Sequence, residues 1–255
     1  MNSINEKALE VAKKIADNYA TSTNTLGILL IGSAASDSMD DRSDVDLLCV
    51  TKTSDSLSRE SFVDAGSGLP FEILFNTAGE LHEYLCEENG SVYRTIAHMI
   101  STGKPIYNPD DQLDELMAKA EKVIASSVKT TENQSIMIRY SIEDFLSDAQ
   151  REFEKHNMVT FMMYGERLIA NVTEAVLRKN NGYFRPPGQL MDYLKTHDSD
   201  LDDLLQVFYY CNNDDNTKLM TLESIAEHGL RQLGGGLSSE WQLVVDEAEL
   251  RKEVQ

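Results

Sequence analysis

Two short apolar runs, separated by a polar segment, constrain the fold of this chain more than any other feature. The first run covers residues 26–31 and stops at Gly32 and Ser33. Ten residues, 34–43, separate Ser33 from the second run at 44–51. Each run is short and is bounded by turn residues, which is typical of a buried strand. The pattern therefore predicts two buried strands joined by a Gly-Ser turn and a polar loop.

The second predicted strand opens with two carboxylates, Asp44 and Asp46. Because strand side chains alternate between faces, both aspartates point to one side and Val45 points to the other. Two carboxylates beside a turn that offers backbone N–H groups could hold a divalent ion and a phosphate together. The alternative is a surface hairpin or sheet edge at which aspartates cap a turn. The Gly-Ser turn and the two apolar strands favour the binding site over that alternative.

This arrangement resembles the signature of the nucleotidyltransferase superfamily that includes the polymerase-β-like enzymes. In that signature a strand ends in Gly-Ser, and Asp-apolar-Asp opens the next strand about ten residues later. The matching residues here are Gly32-Ser33 and Asp44-Val45-Asp46. The length and the helical second half of the chain resemble the small antibiotic (aminoglycoside) nucleotidyltransferases. The resemblance implies an α/β (α+β) domain with a small mixed sheet, followed by an α-helical bundle domain.

A third carboxylate, Glu72, interrupts a third predicted strand at residues 71–76. A lone glutamate in a strand commonly faces solvent, and that alternative stays open on the residues alone. The superfamily, however, places a third carboxylate on a strand beside the Asp-x-Asp strand. The resemblance therefore implies that Asp44, Asp46 and Glu72 are the catalytic and metal-binding residues, with Mg2+ as the metal. For Glu72, the resemblance implies one of two roles: a metal ligand, or the base that deprotonates the attacking hydroxyl.

The resemblance also implies a set of nucleotide-binding residues around the turn and in a later loop: Gly32, Ser33, Arg42, Ser43 and Arg185. Members of the superfamily often carry a basic residue two or three positions after the Gly-Ser, whereas this chain has alanine, alanine and serine at 34–36. Arg42 is one candidate for that phosphate contact, and the favoured alternative for it is a solvated or ion-paired arginine. Arg185 is a second candidate for the phosphate contact. It lies in a loop at 183–188 that resembles the family's loop between helices, from which a basic residue reaches the nucleotide phosphates. The match is loose, because Pro187 stands where the family usually has lysine.

A turn cluster at residues 108–111 predicts the boundary between two domains. The first, 1–109, is expected to be the nucleotidyltransferase catalytic domain, and the second, 110–255, an α-helical substrate-binding domain. Residues 52–68 are rich in serine and aspartate and are predicted to be a loop, with one helical turn at 57–64. Apolar periodicity predicts helices at the following residues: 4–20, 79–101 (two short helices), 113–124, 133–156, 158–180, 189–195, 200–211, 219–233 and 238–252.

The charge of the chain bears on its partners. With 43 acidic and 23 basic residues, the net charge is −20. Such a surface repels a phosphate backbone, so nucleic acid is not an expected partner. The charge favours a cationic small substrate through steering, although solubility alone also explains it. In the antibiotic enzymes that the chain resembles, helical carboxylates bind amino groups of the substrate, which makes Glu143 and Asp144 candidates for that contact.

The expected location is the cytoplasm, with no membrane partner. No apolar run approaches the ~20 residues needed to span a bilayer. Charged residues interrupt the segment 4–20, so it does not resemble a signal peptide. The three cysteines are odd in number and far apart, and they suggest neither a zinc site nor a disulfide framework. Apolar helix faces in the second domain could close a homodimer.

Together with the resemblance, these features predict a metal-dependent nucleotidyltransferase. The expected reaction moves a nucleoside monophosphate, AMP from ATP, to a hydroxyl of a small molecule such as an aminoglycoside antibiotic, and releases pyrophosphate. The expected partners are therefore a nucleoside triphosphate and a small hydroxyl-bearing acceptor. Two alternatives stay open: a non-catalytic, antitoxin-like module of the same fold, and an enzyme that transfers AMP to a protein.

Overall fold

The computed structural model describes residues 3–54, 57–211 and 214–243. The chain forms two compact units, Met1–Ser127 and Val128–Gln255. The first unit holds two apolar clusters, one on each face of a sheet, and the second holds a single cluster between helices. The expected architecture, a mixed-sheet α/β domain followed by an α-helical domain, is confirmed.

The first unit carries all the strands of the described chain. Its elements follow one another in this order: α1 (Ser3–Ala20), β1 (Thr25–Ile31), α2 (Gly32–Ala35), β2 (Val45–Thr51), β3 (Arg59–Val63), β4 (Pro70–Thr77), α3 (Ala78–Glu88), α4 (Thr95–Thr102), β5 (Lys104–Tyr107), a 3-10 turn (Pro109–Asp111) and α5 (Asp114–Ala125). The strands form one sheet in the order β3-β4-β2-β1-β5. Because β2 and β4 are parallel and the other neighbours are antiparallel, the sheet is mixed, as predicted.

Strand β2 is buried on both faces because its side chains alternate between two apolar layers. Leu47 and Cys49 join α1 in one cluster. Leu48 and Val50 join α3, α4 and α5 in the other cluster. A strand covered on both faces has a nearly continuous apolar sequence, which is the pattern from which it was predicted. Asp46 precedes Leu48 by two residues and therefore lies on the face of the second cluster.

The prediction of a loop with a helical turn at residues 57–64 is wrong. Those residues contain β3, which pairs antiparallel with β4 at the edge of the sheet. The side chains of β3 alternate between exposed and partly buried, and Phe62 stacks on Phe71 with ring centroids 5.7 Å apart. Because this edge strand has a single large apolar anchor, its sequence carries little strand signal, and the pairing with β4 decides its structure.

The second unit consists of helices around one core. They are α6 (Glu132–Glu154), α7 (Met158–Lys179), α8 (Pro187–His197), α9 (Ser199–Tyr210) and α10 (Asp215–Gln232). These bounds agree with the predicted helices to within a few residues. In the part of the chain that the structure describes, no helix is both long and apolar enough to cross a membrane.

The prediction of a final helix at 238–252 is wrong for those of its residues that the structure describes. Residues 238–243 are not helical, and 244–252 lie outside the described residues. After α10, Gly234 and Gly235 have φ of 89° and 108°, values that favour glycine and end the helix. The backbone N–H of Leu237 then donates to the carboxylate of Glu143 at 2.8 Å, which ties the segment after α10 to α6.

The segment 110–127 packs with the first unit, although the predicted boundary places it in the second domain. Helix α5 contributes Leu116 and Ala120 to the cluster on the α3 face of the sheet. Arg94 is fully buried and donates to the backbone carbonyls of Val123 and Ile124 at 3.0 and 2.8 Å. The end of α5 is therefore tied to the segment before α4. The separate roles expected for the two domains stay predictions.

Replacing Arg94 by methionine should destabilise the first unit strongly. The substitution removes the Arg94 donor from the carbonyls of Ile124 and Ser91, and from that of Val123, which keeps Ser126 as a donor; the cost should be about 2 kcal/mol or more. Urea unfolding followed by circular dichroism measures the loss. The control is Lys14→Ala, which removes an exposed ion pair with Glu10 and should leave the stability nearly unchanged. Equal effects of the two substitutions would contradict the structural role of Arg94.

Candidate metal and nucleotide site

The turn between β1 and α2 requires glycine at position 32. Gly32 has φ of 68°, in the left-handed region that side chains disfavour. A Cβ atom there would also collide with the carboxylate of Asp46. This close approach follows from the pairing of β1 with β2, in which Ile31 is opposite Asp46. The Gly-Ser turn and the first buried carboxylate therefore form one packed arrangement.

Three carboxylates converge at the start of β2 and β4. The parallel register places Asp46 beside Glu72 on the same face of the sheet. Asp44 precedes β2 by one residue and lies two residues from Asp46. One carboxylate oxygen from each of the three residues lies within 4.8 Å of the others. Asp44 is exposed, whereas Asp46 and Glu72 are partly buried. The structure thus brings together the three residues that the sequence predicts as metal ligands.

The electrostatics of this carboxylate cluster (Asp44, Asp46 and Glu72) fit a divalent cation. Burial, followed by repulsion from Asp44 and Glu72, raises the pKa of Asp46 from 3.8 to about 6. A positive ion between the three groups would relieve that repulsion. Oxygen ligands from carboxylates are those that Mg2+ and other hard cations prefer. The donor set and its charge therefore suit the magnesium ion that the sequence predicts.

Arg59 forms an ion pair with Glu72. From the sequence, Arg59 was not identified as a residue of the site. Its Nε donates to Oε1 of Glu72, and this hydrogen bond is the main reason why the pKa of Glu72 is lowered. In the β3–β4 register Arg59 is opposite Leu74 and Ser61 is opposite Glu72. Arg59 and Glu72 are thus diagonal neighbours on one face, within reach of a long side chain. Only the identification of 59–63 as a strand would have revealed this contact.

The loop between the turn and β2 is held by its own side chains. The hydroxyl of Ser43 donates to the Asp40 carboxylate and accepts the Asp40 N–H, both at 3.0 Å. The backbone N–H of Arg42 also donates to that carboxylate, at 2.9 Å. Ser33, in the first turn of α2, accepts the Ser38 N–H at its carbonyl. Ser43 thus has a structural role in this loop, and the phosphate contacts expected from Ser33, Arg42 and Ser43 stay predictions.

Lys104 is a second cation near the Gly-Ser turn that the sequence did not single out. It lies on β5 opposite Leu30, two residues before Gly32. Its ammonium pairs with the carboxylate of Asp37 at 3.0 Å, in the segment just after α2. Asp37 itself has φ of 57°, a conformation that aspartate tolerates better than most residues. The ion pair links β5 to the loop that follows the turn.

Arg185 and the acidic candidates belong to the second unit. The guanidinium of Arg185 lies over the rings of Tyr183 and Tyr193, 3.8 and 4.3 Å from their centroids, and donates to the Tyr183 carbonyl at 2.8 Å. Glu143 accepts the backbone N–H of Leu237, and Asp144 is exposed on α6. These contacts give Arg185 and Glu143 structural roles within their own unit. Their predicted contacts with nucleotide and substrate stay predictions.

Comparison with known proteins supports the fold. The chain is similar to a nucleotidyltransferase-like protein from Exiguobacterium sibiricum 255-15, whose crystal structure was determined at 1.90 Å. The TM-score is 0.53 at 17% sequence identity, over 89% of this chain and 77% of the other. No protein-family model and no curated protein sequence matches the chain. The chain therefore has a nucleotidyltransferase-like fold, and at this identity the similarity concerns the fold alone.

Replacing Asp46 by asparagine should stabilise the protein in the absence of divalent cations. The pKa of Asp46, about 6 in the folded chain against an ordinary 3.8, means that ionisation opposes folding. The gain should be about 1 kcal/mol at pH 7, once the partial exposure of the site is allowed for. It should fade as the pH falls from about 6 to 4, where the aspartate regains its proton.

Thermal unfolding in EDTA at pH 7 and pH 4 measures this effect. Asp41→Asn is the control, because Asp41 is exposed in the loop before β2 and lies outside the carboxylate cluster. The control should leave the melting temperature nearly unchanged. A lower melting temperature for Asp46→Asn at pH 7 would show that the cluster is not under repulsion.

Proposed function

We propose that this protein is a metal-dependent nucleotidyltransferase. The reaction transfers a nucleoside monophosphate, AMP from ATP, to a hydroxyl of a small molecule and releases pyrophosphate. The observation that carries the proposal is the convergence of Asp44, Asp46 and Glu72 beside the Gly32 turn. The nucleotidyltransferase-like fold in which they occur supports the same reaction class.

Each residue of the site has a role in this proposal. Asp44 and Asp46 hold Mg2+ through carboxylate oxygens. When bound, the metal neutralises the triphosphate and stabilises charge that develops at the α-phosphorus. Gly32 lets the backbone approach the donor closely, and Ser33 contacts the β- and γ-phosphates through its N–H and hydroxyl. Arg42 is a further phosphate contact from the loop before β2.

Glu72 is better suited to bind the metal than to act as the general base. A base that removes the proton of a hydroxyl works best with a pKa near the operating pH. The hydrogen bond from Arg59 lowers the pKa of Glu72 instead, and a cation beside Glu72 would act in the same direction. At neutral pH Glu72 is therefore a stable carboxylate ligand and a weak base.

The proposed acceptor is a cationic small molecule with a free hydroxyl, of the aminoglycoside type. The net charge of −20 supports this choice because it attracts cations and repels nucleic acids. Glu143, Asp144 and Arg185 of the second unit are proposed to contact the acceptor and the nucleotide. The proposed location is the cytoplasm, where ATP is available as the donor and where modification would confer resistance to the antibiotic.

A non-catalytic binding module is the second candidate. The ion pair between Arg59 and Glu72 favours it, because the pair engages the third carboxylate. The absence of a basic residue at 34–36 favours it as well, since the triphosphate then has one contact fewer. A module of this kind would bind nucleotide and release no pyrophosphate.

Incubation with ATP and Mg2+ tests the proposal. A panel of aminoglycosides and lincosamides is added, adducts are identified by mass spectrometry, and pyrophosphate is measured in parallel. One panel member should gain AMP. Asp44→Asn and Asp46→Asn should each lower the rate about a thousandfold or more, equivalent to about 4 kcal/mol of transition-state stabilisation. Asp41→Asn, in the same loop, should retain the rate.

The outcomes separate the parts of the proposal. Pyrophosphate release that needs an added protein would replace the small acceptor by a protein acceptor. No release with any acceptor would favour the binding module. Full activity of Asp46→Asn would contradict the metal site itself.

A further inference from the structure

We propose that Arg59 is an exchangeable counter-ion, which binds Glu72 in competition with the divalent cation and turns to the donor phosphates when the cation is bound. This inference rests on the proposed function, since it concerns the same site. It gives a role to a residue outside the nucleotidyltransferase signature found in the sequence. Arg59 is a positioning residue in its contact with Glu72 and a substrate-binding residue in its contact with phosphate.

Competition follows from the carboxylate that Arg59 contacts. Its Nε donates to Oε1 of Glu72, and Glu72, Asp46 and Asp44 each offer one carboxylate oxygen within 4.8 Å of the others. A cation that shares Glu72 would face the positive guanidinium at close range. Like charges in one site destabilise each other, so cation and guanidinium exclude each other from Glu72. The exclusion costs the site some metal affinity.

The influence of Arg59 extends to the whole cluster. Its charge acts to lower the pKa of Asp46, opposing the burial and repulsion that raise it. Asp44 and Asp46 in turn contribute to the raised pKa of Arg59, after the larger effect of Glu72. Three carboxylates carry three negative charges, and one guanidinium offsets one of them, whereas a divalent cation would offset two. Arg59 is thus a partial substitute for the cation within the same cluster.

The exposure of the pair allows the exchange. The Arg59 side chain is 63% exposed and that of Glu72 is 22% exposed, so the arginine is the partner with room to turn away. β3 lies at the edge of the sheet, where Arg59 has solvent beside it. An exposed ion pair of this kind contributes little to stability. A divalent cation held by three carboxylates can therefore displace it.

Once displaced from Glu72, the guanidinium of Arg59 would bind the triphosphate of the donor. Arginine binds phosphate oxygens through paired N–H donors on a flexible stem. Positions 34–36, directly after the Gly-Ser turn, hold alanine, alanine and serine and offer no positive charge to a phosphate. Arg59 would supply that missing positive charge from β3 instead of from the loop after the turn. The expected ligand of the freed Arg59 is thus the triphosphate of the nucleotide donor.

Arg59→Ala tests the inference because it should move two measurements in opposite directions. The affinity of the full chain for Mn2+ without nucleotide, measured by electron paramagnetic resonance, should increase about two- to fivefold. The KM for ATP in pyrophosphate release should rise about tenfold or more, because a charge-assisted phosphate contact is lost. A merely structural arginine would, when removed, weaken both. Arg59→Lys, which keeps the charge, should leave Mn2+ affinity close to that of the unaltered chain.

Arg151→Ala is the matched control. Arg151 pairs with Asp148 in the second unit, and the exposures of the two side chains, 56% and 21%, are close to those of Arg59 and Glu72. The substitution makes the same change in net charge and should leave Mn2+ affinity unchanged. Circular dichroism of every variant verifies that the fold is retained.

Two kinds of failure can be told apart. Mn2+ binding that depends on Asp46 but weakens or stays constant in Arg59→Ala would overturn the inference and leave the proposed function standing. An unaltered chain that binds no Mn2+, or an Asp46→Asn variant that binds it equally well, would overturn the proposed function and the inference with it. A KM for ATP that is unchanged in Arg59→Ala would overturn the phosphate contact.

Discussion

The parallel pairing of β2 with β4 is the constraint on which the site depends. It places Asp46 directly beside Glu72 and forces together two carboxylates that repel each other. The apolar residues of both strands hold this register, because Leu47, Leu48 and Ile73 are completely buried between the two layers of helices. A slip of one residue would turn these side chains to the wrong faces. Hydrophobic burial thus opposes and outweighs the repulsion within the site.

Two further features surround that pair of strands and complete the site. Gly32 allows the turn after β1 to lie against the Asp46 carboxylate, which no residue with a Cβ atom could do without displacement. On the opposite side, the edge strand β3 brings Arg59 to Glu72. The carboxylates are therefore bordered by a backbone turn and by a guanidinium. This combination of negative charge, close backbone approach and exposed positive charge supports the proposed binding of a metal ion and a nucleotide.

The sequence predicted those parts of the fold that local patterns determine. β1, β2 and β4 are largely apolar runs, and the alternation of side chains was enough to place Asp44 and Asp46 on one face. Glu72 required the family resemblance, because a glutamate in a strand is ordinary. Arg59 could not be found, since β3 has a weak apolar pattern and exists through its pairing with β4. The boundary between the compact units also differs from the predicted domain boundary. The reason is a contact distant in sequence, in which Arg94 donates to the carbonyls of Val123 and Ile124, 29 and 30 residues away.

The most direct measurement of the central claim is a crystal structure with Mn2+ and a non-hydrolysable ATP analogue, in which anomalous scattering locates the metal. The account predicts a metal peak about 2.1 Å from carboxylate oxygens of Asp44 and Asp46, with the triphosphate on the Gly32 side. It also predicts that Arg59 has left Glu72 and contacts a phosphate. A bound nucleotide with its metal away from Asp44 and Asp46 would contradict the account.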